Sequence, residues 1–128
     1  MKENPKIDIT DRTFRFGLLT VGLANKLPQT PAGFRIGGQI VGSGTSIGAN
    51  IQEAQSASSK KDFIYKLSIA LREARETKYW LMIIDQSQIL KQTNLSDLHI
   101  EIEEIIKILA SIISNSRFNK ATTRTAKL

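Results

Sequence analysis

Apolar residues recur along the chain at the three- and four-residue spacing of amphipathic helices, and short polar breaks separate four such stretches. The pattern predicts helices over residues 8–27, 32–56, 60–90 and 96–117. Pro28 ends the first stretch, Thr30 offers an N-cap to the second, and Ser59 offers one to the third. Because no stretch alternates with period two, we expect an all-α protein, an antiparallel up-down four-helix bundle in one domain.

The stretch "GGQIVGSGTSIGANIQEA", residues 37–54, contains five of the eight glycines of the chain. A phosphate-binding Walker loop requires a lysine directly after its last glycine, and a dinucleotide-binding loop requires G-x-G-x-x-G after a strand. Neither pattern is present. Ile36, Ile40, Ile47 and Ile51 instead follow helical spacing. We therefore place the stretch on a helix and expect its glycines to mark close approaches of neighbouring helices.

The first and third predicted helices each carry two apolar faces. In the first, Phe14, Leu18 and Val21 lie on one face, and Phe16, Leu23 and Leu27 lie on another. In the third, Phe63, Leu67, Ala74 and Leu81 suit the bundle core. Its second face predicts a contact with another subunit, with coverage by helix ends of the same chain as the alternative. That face comprises Tyr65, Ile69, Arg72, Glu76, Tyr79, Trp80 and Ile83.

The chain of 128 residues has a net charge of +6 and a pI near 9.8, which favours polyanionic partners. The predicted nucleic-acid contacts are Lys60, Lys61, Lys66, Arg117, Lys120, Arg124 and Lys127. Residues 118–128 are expected to form a basic, flexible tail, either a nucleic-acid-binding arm or merely solvated. No signal peptide or membrane-spanning stretch is evident, so we expect a cytoplasmic protein.

Catalytic and metal-binding chemistry has little support in the sequence. One histidine and no cysteine exclude the usual nucleophilic triads, and Ser96 stands where a Glu-x-x-His metal motif ending at His99 requires glutamate. We expect His99 at the surface, and no catalytic, cofactor or metal site. Asn50 and Glu53, with Arg75 from the third helix, are predicted to form a buried polar network; ordinary surface polarity is the alternative.

Three segments carry a family resemblance: "SIGANIQEA" at residues 46–54, "DFI" at 62–64 and "ALREARETKYWL" at 70–81. They closely resemble a bacterial four-helix-bundle family, the proteins encoded in intervening sequences of 23S ribosomal RNA genes, also labelled ribosomal protein S23-like. Many members have glycine where this chain has Ala54. The family is distantly similar to the accessory variability proteins of diversity-generating retroelements. The resemblance implies a ring, usually a homopentamer, without enzymatic activity.

The sequence therefore leads to a non-enzymatic, homo-oligomeric bundle that binds nucleic acid, RNA in preference, through its basic surface. The alternative is a protein-protein interaction scaffold with no nucleic-acid ligand. No membrane partner or small-molecule substrate is expected.

Overall fold

A computed structural model of the chain describes the backbone of residues 5–127 and the side chains of residues 9–117. It contains four helices, α1 Pro5–Lys26, α2 Pro31–Gln55, α3 Lys60–Ser87 and α4 Ser96–Lys127. Each helix packs against the next, and α4 returns to α1. Residues 5–127 contain no strand. The predicted all-α four-helix bundle is confirmed, and the glycine-rich stretch lies within α2.

The helix ends follow from local capping. The Thr30 hydroxyl accepts a hydrogen bond from the Gly33 amide at 3.1 Å, and the Ser59 hydroxyl accepts one from the Asp62 amide at 3.0 Å. Gln88 has a φ of 58°, in the left-handed region, so α3 ends earlier than the predicted residue 90. The backbone of α4 continues to Lys127, beyond the predicted end at residue 117. The side chains of residues 118–128 lie outside the described part, and the flexibility of this segment stays a prediction.

The core is built from one apolar stripe of each helix. In α1 the structure buries the face of Phe16 and Leu23 and leaves the face of Phe14 and Leu18 exposed. In α2, Ile40 and Ile47 are fully buried, as their spacing predicts. The remaining large contributors come from α3 and α4 and include Leu67, Leu81, Ile84, Ile102, Ile105 and Leu109.

Three glycines of α2 lie directly against α1. A Cβ atom added to Gly44 would lie 2.5 Å from Thr20 Cγ2, and one added to Gly48 would lie 3.3 Å from the Thr13 backbone. One added to Gly37 would contact Ala24 at an ordinary 3.6 Å. By contrast, Gly42, like Gly38, has nothing within 4 Å. The expected close approach is therefore present on one side of α2 only.

Alanine substitutions in α2 separate helix propensity from packing. Gly44→Ala should lower the free energy of unfolding by about 1–3 kcal/mol, because buried Thr20 cannot move away without losing its bond to the Gly17 carbonyl. Gly42→Ala is the matched control and should raise it by up to about 1 kcal/mol, since only helix propensity changes. Urea unfolding of both variants measures the difference. Equal stability of the two variants would contradict the packing account.

Candidate functional site

Predicted nucleic-acid contacts gather at one end of the bundle. Lys60 and Lys61 form the first turn of α3, directly after the α2–α3 loop, and both are exposed. Lys78 of α3 pairs with Glu103 of antiparallel α4 at 2.6 Å. The length of α3 from Lys78 back to Lys61 is similar to the length of α4 from Glu103 forward to Arg117. Arg117 is also exposed. The topology therefore places these lysines and Arg117 at the same end.

The other predicted contacts differ in their surroundings. Lys66 donates a 3.3 Å ion-paired hydrogen bond to Glu53, so part of its charge is already neutralised within the chain. The side chains of Lys120, Arg124 and Lys127 lie outside the described residues. Of the lysines predicted to contact nucleic acid, Lys60 and Lys61 are accordingly the two whose side chains are described and exposed.

Lysines at the start of α3 are unfavourable for the helix itself. The N-terminus of a helix carries a partial positive charge, and a cation placed there costs about 0.3–1 kcal/mol. Asp62 in the same turn offsets part of this repulsion. Helix stability therefore does not explain why lysines occupy positions 60 and 61.

The second apolar face of α3 points largely to solvent. Tyr65 is 60% exposed and Tyr79 is 55% exposed, and the adjoining Met82 is 43% exposed. Arg72 and Glu76 are also exposed, whereas Ile69 and Ile83 are half-buried. These residues remain together on one face of the described chain, and their role as an interface stays a prediction.

Trp80 differs from the rest of this face because it packs partly against the core. Its ring meets Tyr79 edge to face, with centroids 5.3 Å apart, and its indole nitrogen donates to Glu76 at 3.4 Å. A substitution of Trp80 would therefore disturb the core as well as the exposed face. Substitutions of the more exposed Tyr65 and Tyr79 would test an interface with less disturbance of the core.

The predicted buried network of Asn50, Glu53 and Arg75 is not formed within the described chain. Asn50 donates to the carbonyl of Ser46 in its own helix at 2.8 Å. Glu53 is exposed and pairs with Lys66, while Arg75 is exposed on α3. A carboxylate at the surface needs no buried partner, so the alternative of surface polarity describes these three residues.

A different polar pair is buried between α2 and α3. The hydroxyl oxygens of Ser43 and Thr77 lie 2.9 Å apart, and Thr77 also donates to the Glu73 carbonyl at 2.8 Å. Both residues are almost fully buried, so their hydroxyls satisfy each other and the backbone. Single-helix patterns did not identify the pair, because each residue simply occupies a small position in its own core stripe.

His99 is partly buried rather than at the surface as expected. Its Nε2 lies 3.8 Å from an Asp85 carboxylate oxygen, at the end where α3 leads into α4. That nitrogen is buried and has no hydrogen-bond partner within the described chain.

Within residues 5–127, no helix is long and apolar enough to cross a membrane. The described residues also contain no group of three or more His, Cys, Asp or Glu arranged to hold a metal ion.

An apolar groove on the outer side of α1 and α2 was not predicted. Phe14, Leu18 and Val21 of α1 form one wall, and α2 contributes Thr45 and Ala49. Leu18 is 60% exposed, and the depression has a volume of about 260 Å³. A second depression of about 410 Å³ lies between the end of α1 and the start of α2 and is lined by exposed Phe34. The helical spacing of Phe14, Leu18 and Val21 was the signal in the sequence that pointed to this face.

Two glutamates on α3 and α4 have opposite pKa shifts. Partial burial raises the pKa of Glu73 above its ordinary 4.5, and the neighbouring Glu76 raises it further while Arg72 lowers it. The pKa of Glu103 is lowered, chiefly by the hydrogen bond from Lys78; desolvation opposes this shift, and the charges of Lys78 and Lys107 add to it. The ionised form is therefore disfavoured at Glu73 and favoured at Glu103.

These shifts predict opposite pH dependences for two conservative substitutions. The raised pKa of Glu73 contributes stability only at low pH, and that contribution is lost as the pH rises above 4.5. Glu73→Gln should therefore stabilise the protein near neutral pH. The lowered pKa of Glu103 contributes stability above 4.5, so Glu103→Gln should destabilise it there.

Denaturant unfolding across the acid range provides the measurement. Both differences from the wild type should shrink as the pH falls below the two pKa values. A pH-independent offset for either variant would show that its effect is not due to ionisation.

The chain is similar to a protein of known structure along most of its length. This is a crystal structure of a protein with unknown function from the S23 ribosomal protein family from Bacteroides thetaiotaomicron. The two are 39% identical, with a TM-score of 0.80 over 87% of this chain and 99% of that one. No protein with a curated description matches.

Comparison with protein families matches residues 5–111 to one family. The match includes the core of all four helices, and the structural neighbour shares their arrangement. The chain belongs to the 23S rRNA-intervening sequence protein family.

Proposed function

We propose that the protein is a non-enzymatic, homo-oligomeric helical bundle that binds nucleic acid through its basic end. The observation that carries this proposal is the position of exposed Lys60 and Lys61, which lie at the same end as Arg117. The helical backbone of α4 continues from that end through positions 120, 124 and 127, where the sequence has Lys120, Arg124 and Lys127. Several copies in one assembly would multiply this charge and strengthen phosphate binding.

RNA is the ligand to test first. The family takes its description from the intervening sequence of 23S rRNA, which favours RNA over DNA. Lysine contacts to phosphate position a protein on nucleic acid without reading its sequence, so binding should tolerate many sequences. A homopentamer in the cytoplasm is the assembly and location that we propose from the family resemblance and the composition.

The experiment is binding of mixed-sequence single-stranded RNA across a salt series. For the wild type, the logarithm of affinity should fall linearly with the logarithm of salt concentration. Lys60→Glu combined with Lys61→Glu should make that slope less steep by about one to two, because each lost phosphate contact reduces its magnitude by roughly 0.7. The matched control reverses two exposed lysines at the opposite end, Lys26 and Lys91, and should leave the slope nearly unchanged.

Several outcomes would contradict the proposal. They are no binding at low salt, binding that is indifferent to salt, and equal losses in the test and control variants. If RNA binding is absent, capture of a defined protein partner from nuclease-treated lysate would instead support the interaction scaffold.

A further inference from the structure

Two unpartnered faces of the bundle have the same length and the same spacing. The α3 seam, defined here as Tyr65, Ile69, Arg72, Glu76, Tyr79 and Ile83, advances in steps of four and three residues. The outer row of α2 that borders the α1/α2 groove advances in the same steps, through Phe34, Gly38, Val41, Thr45, Gly48 and Gln52. Each row extends over about 27 Å of helix. This 3.5-residue period is typical of helices that pack side by side.

From these faces we propose that the α3 seam of one copy packs into the α1/α2 groove of a second copy. The inference rests on the proposed homo-oligomer and identifies the two surfaces that form its contact. Because the surfaces differ, the contact is heterologous, and a heterologous contact closes into a ring when its rotation permits.

The shapes of the two faces are complementary. Gly17, Gly48 and Ala49 leave the groove hollow, with a volume of about 260 Å³. The seam presents the projecting rings of Tyr65 and Tyr79. Two grooves facing each other would leave both hollows unfilled, whereas a tyrosine-bearing helix fills one, as a knob fills a hole.

The charges on the two faces are also complementary. Short loops join α1 and α3 to α2, so both run antiparallel to α2 and in the same direction as each other. Thr13 of α1 lies beside Gly48 of α2, and Thr77 of α3 lies beside Ser43, which fixes their relative heights.

These contacts place Asp11 within about one turn of the height of Arg72, and Arg15 within about one turn of Glu76. In a ring whose axis follows the bundle, neighbouring copies lie at equal height. Asp11 and Arg15, which form an exposed ion pair with each other at 2.9 Å within α1, would then meet Arg72 and Glu76 of the next copy, with opposite charges in the same order.

The test uses one variant for each face. Leu18→Glu places a charge in the groove, and Tyr79→Glu places one on the seam; both positions are more than half exposed, so the fold should persist, as circular dichroism would verify. Each variant alone should lose the wild-type mass by light scattering and become monomeric. Mixed in equal amounts at high concentration, they should form a dimer and nothing larger, because only one intact seam can meet one intact groove.

The control is Ile100→Glu, at another exposed apolar residue, which lies on α4 outside both faces and should keep the wild-type mass. A variant that does not fold is replaced by Ala49→Arg in the groove or Tyr65→Glu on the seam. A monomeric wild type would contradict the proposed assembly itself. If the wild type is oligomeric, two results would contradict the pairing of seam and groove without contradicting the oligomer. One is an unchanged mass of either face variant, and the other is a mixture that contains only monomers.

Discussion

The close approach of α1 and α2 is the contact on which the rest of the structure depends. It requires a helix without side chains at Gly44 and Gly48, where Thr20 and the backbone around Thr13 occupy the space. Interior glycines cost about 1 kcal/mol each in helix propensity, so α2 exists because packing more than offsets that cost. Gly48 also lines the outer side, where together with Gly17 and Ala49 it leaves the hollow of the α1/α2 groove.

Polar contacts join other helix pairs as well. Ser43 meets Thr77 inside the bundle, and the bidentate pair of Arg12 with Glu101 joins α1 to α4 at its edge. The described part of the chain presents three features to the outside. These are the basic end, the α3 seam and the groove, and the proposals assign a partner to each.

The sequence predicted the elements better than the contacts between them. Helical spacing is a local property, so Ile40 and Ile47 correctly placed α2 and its buried side. Whether Glu53 meets Arg75 or Lys66 depends on the relative rotation of two helices, which no single-helix pattern contains. Helical spacing alone distinguished the two apolar faces of α3. The groove could not be predicted in this way, because the spacing does not show which apolar face of α1 turns toward the core. Lys60 and Arg117 are far apart in sequence, and only the antiparallel topology brings them to one end.

The glycine-rich part of α2 is tightly packed helix and not a mobile loop. Native-state amide hydrogen exchange of the wild-type protein tests it most directly, because protection measures how often a segment opens. The account predicts that amides of residues 44–51 are among the slowest to exchange, opening only with global unfolding. Exchange of these amides at the rate of an unfolded chain, while α3 remains protected, would contradict it.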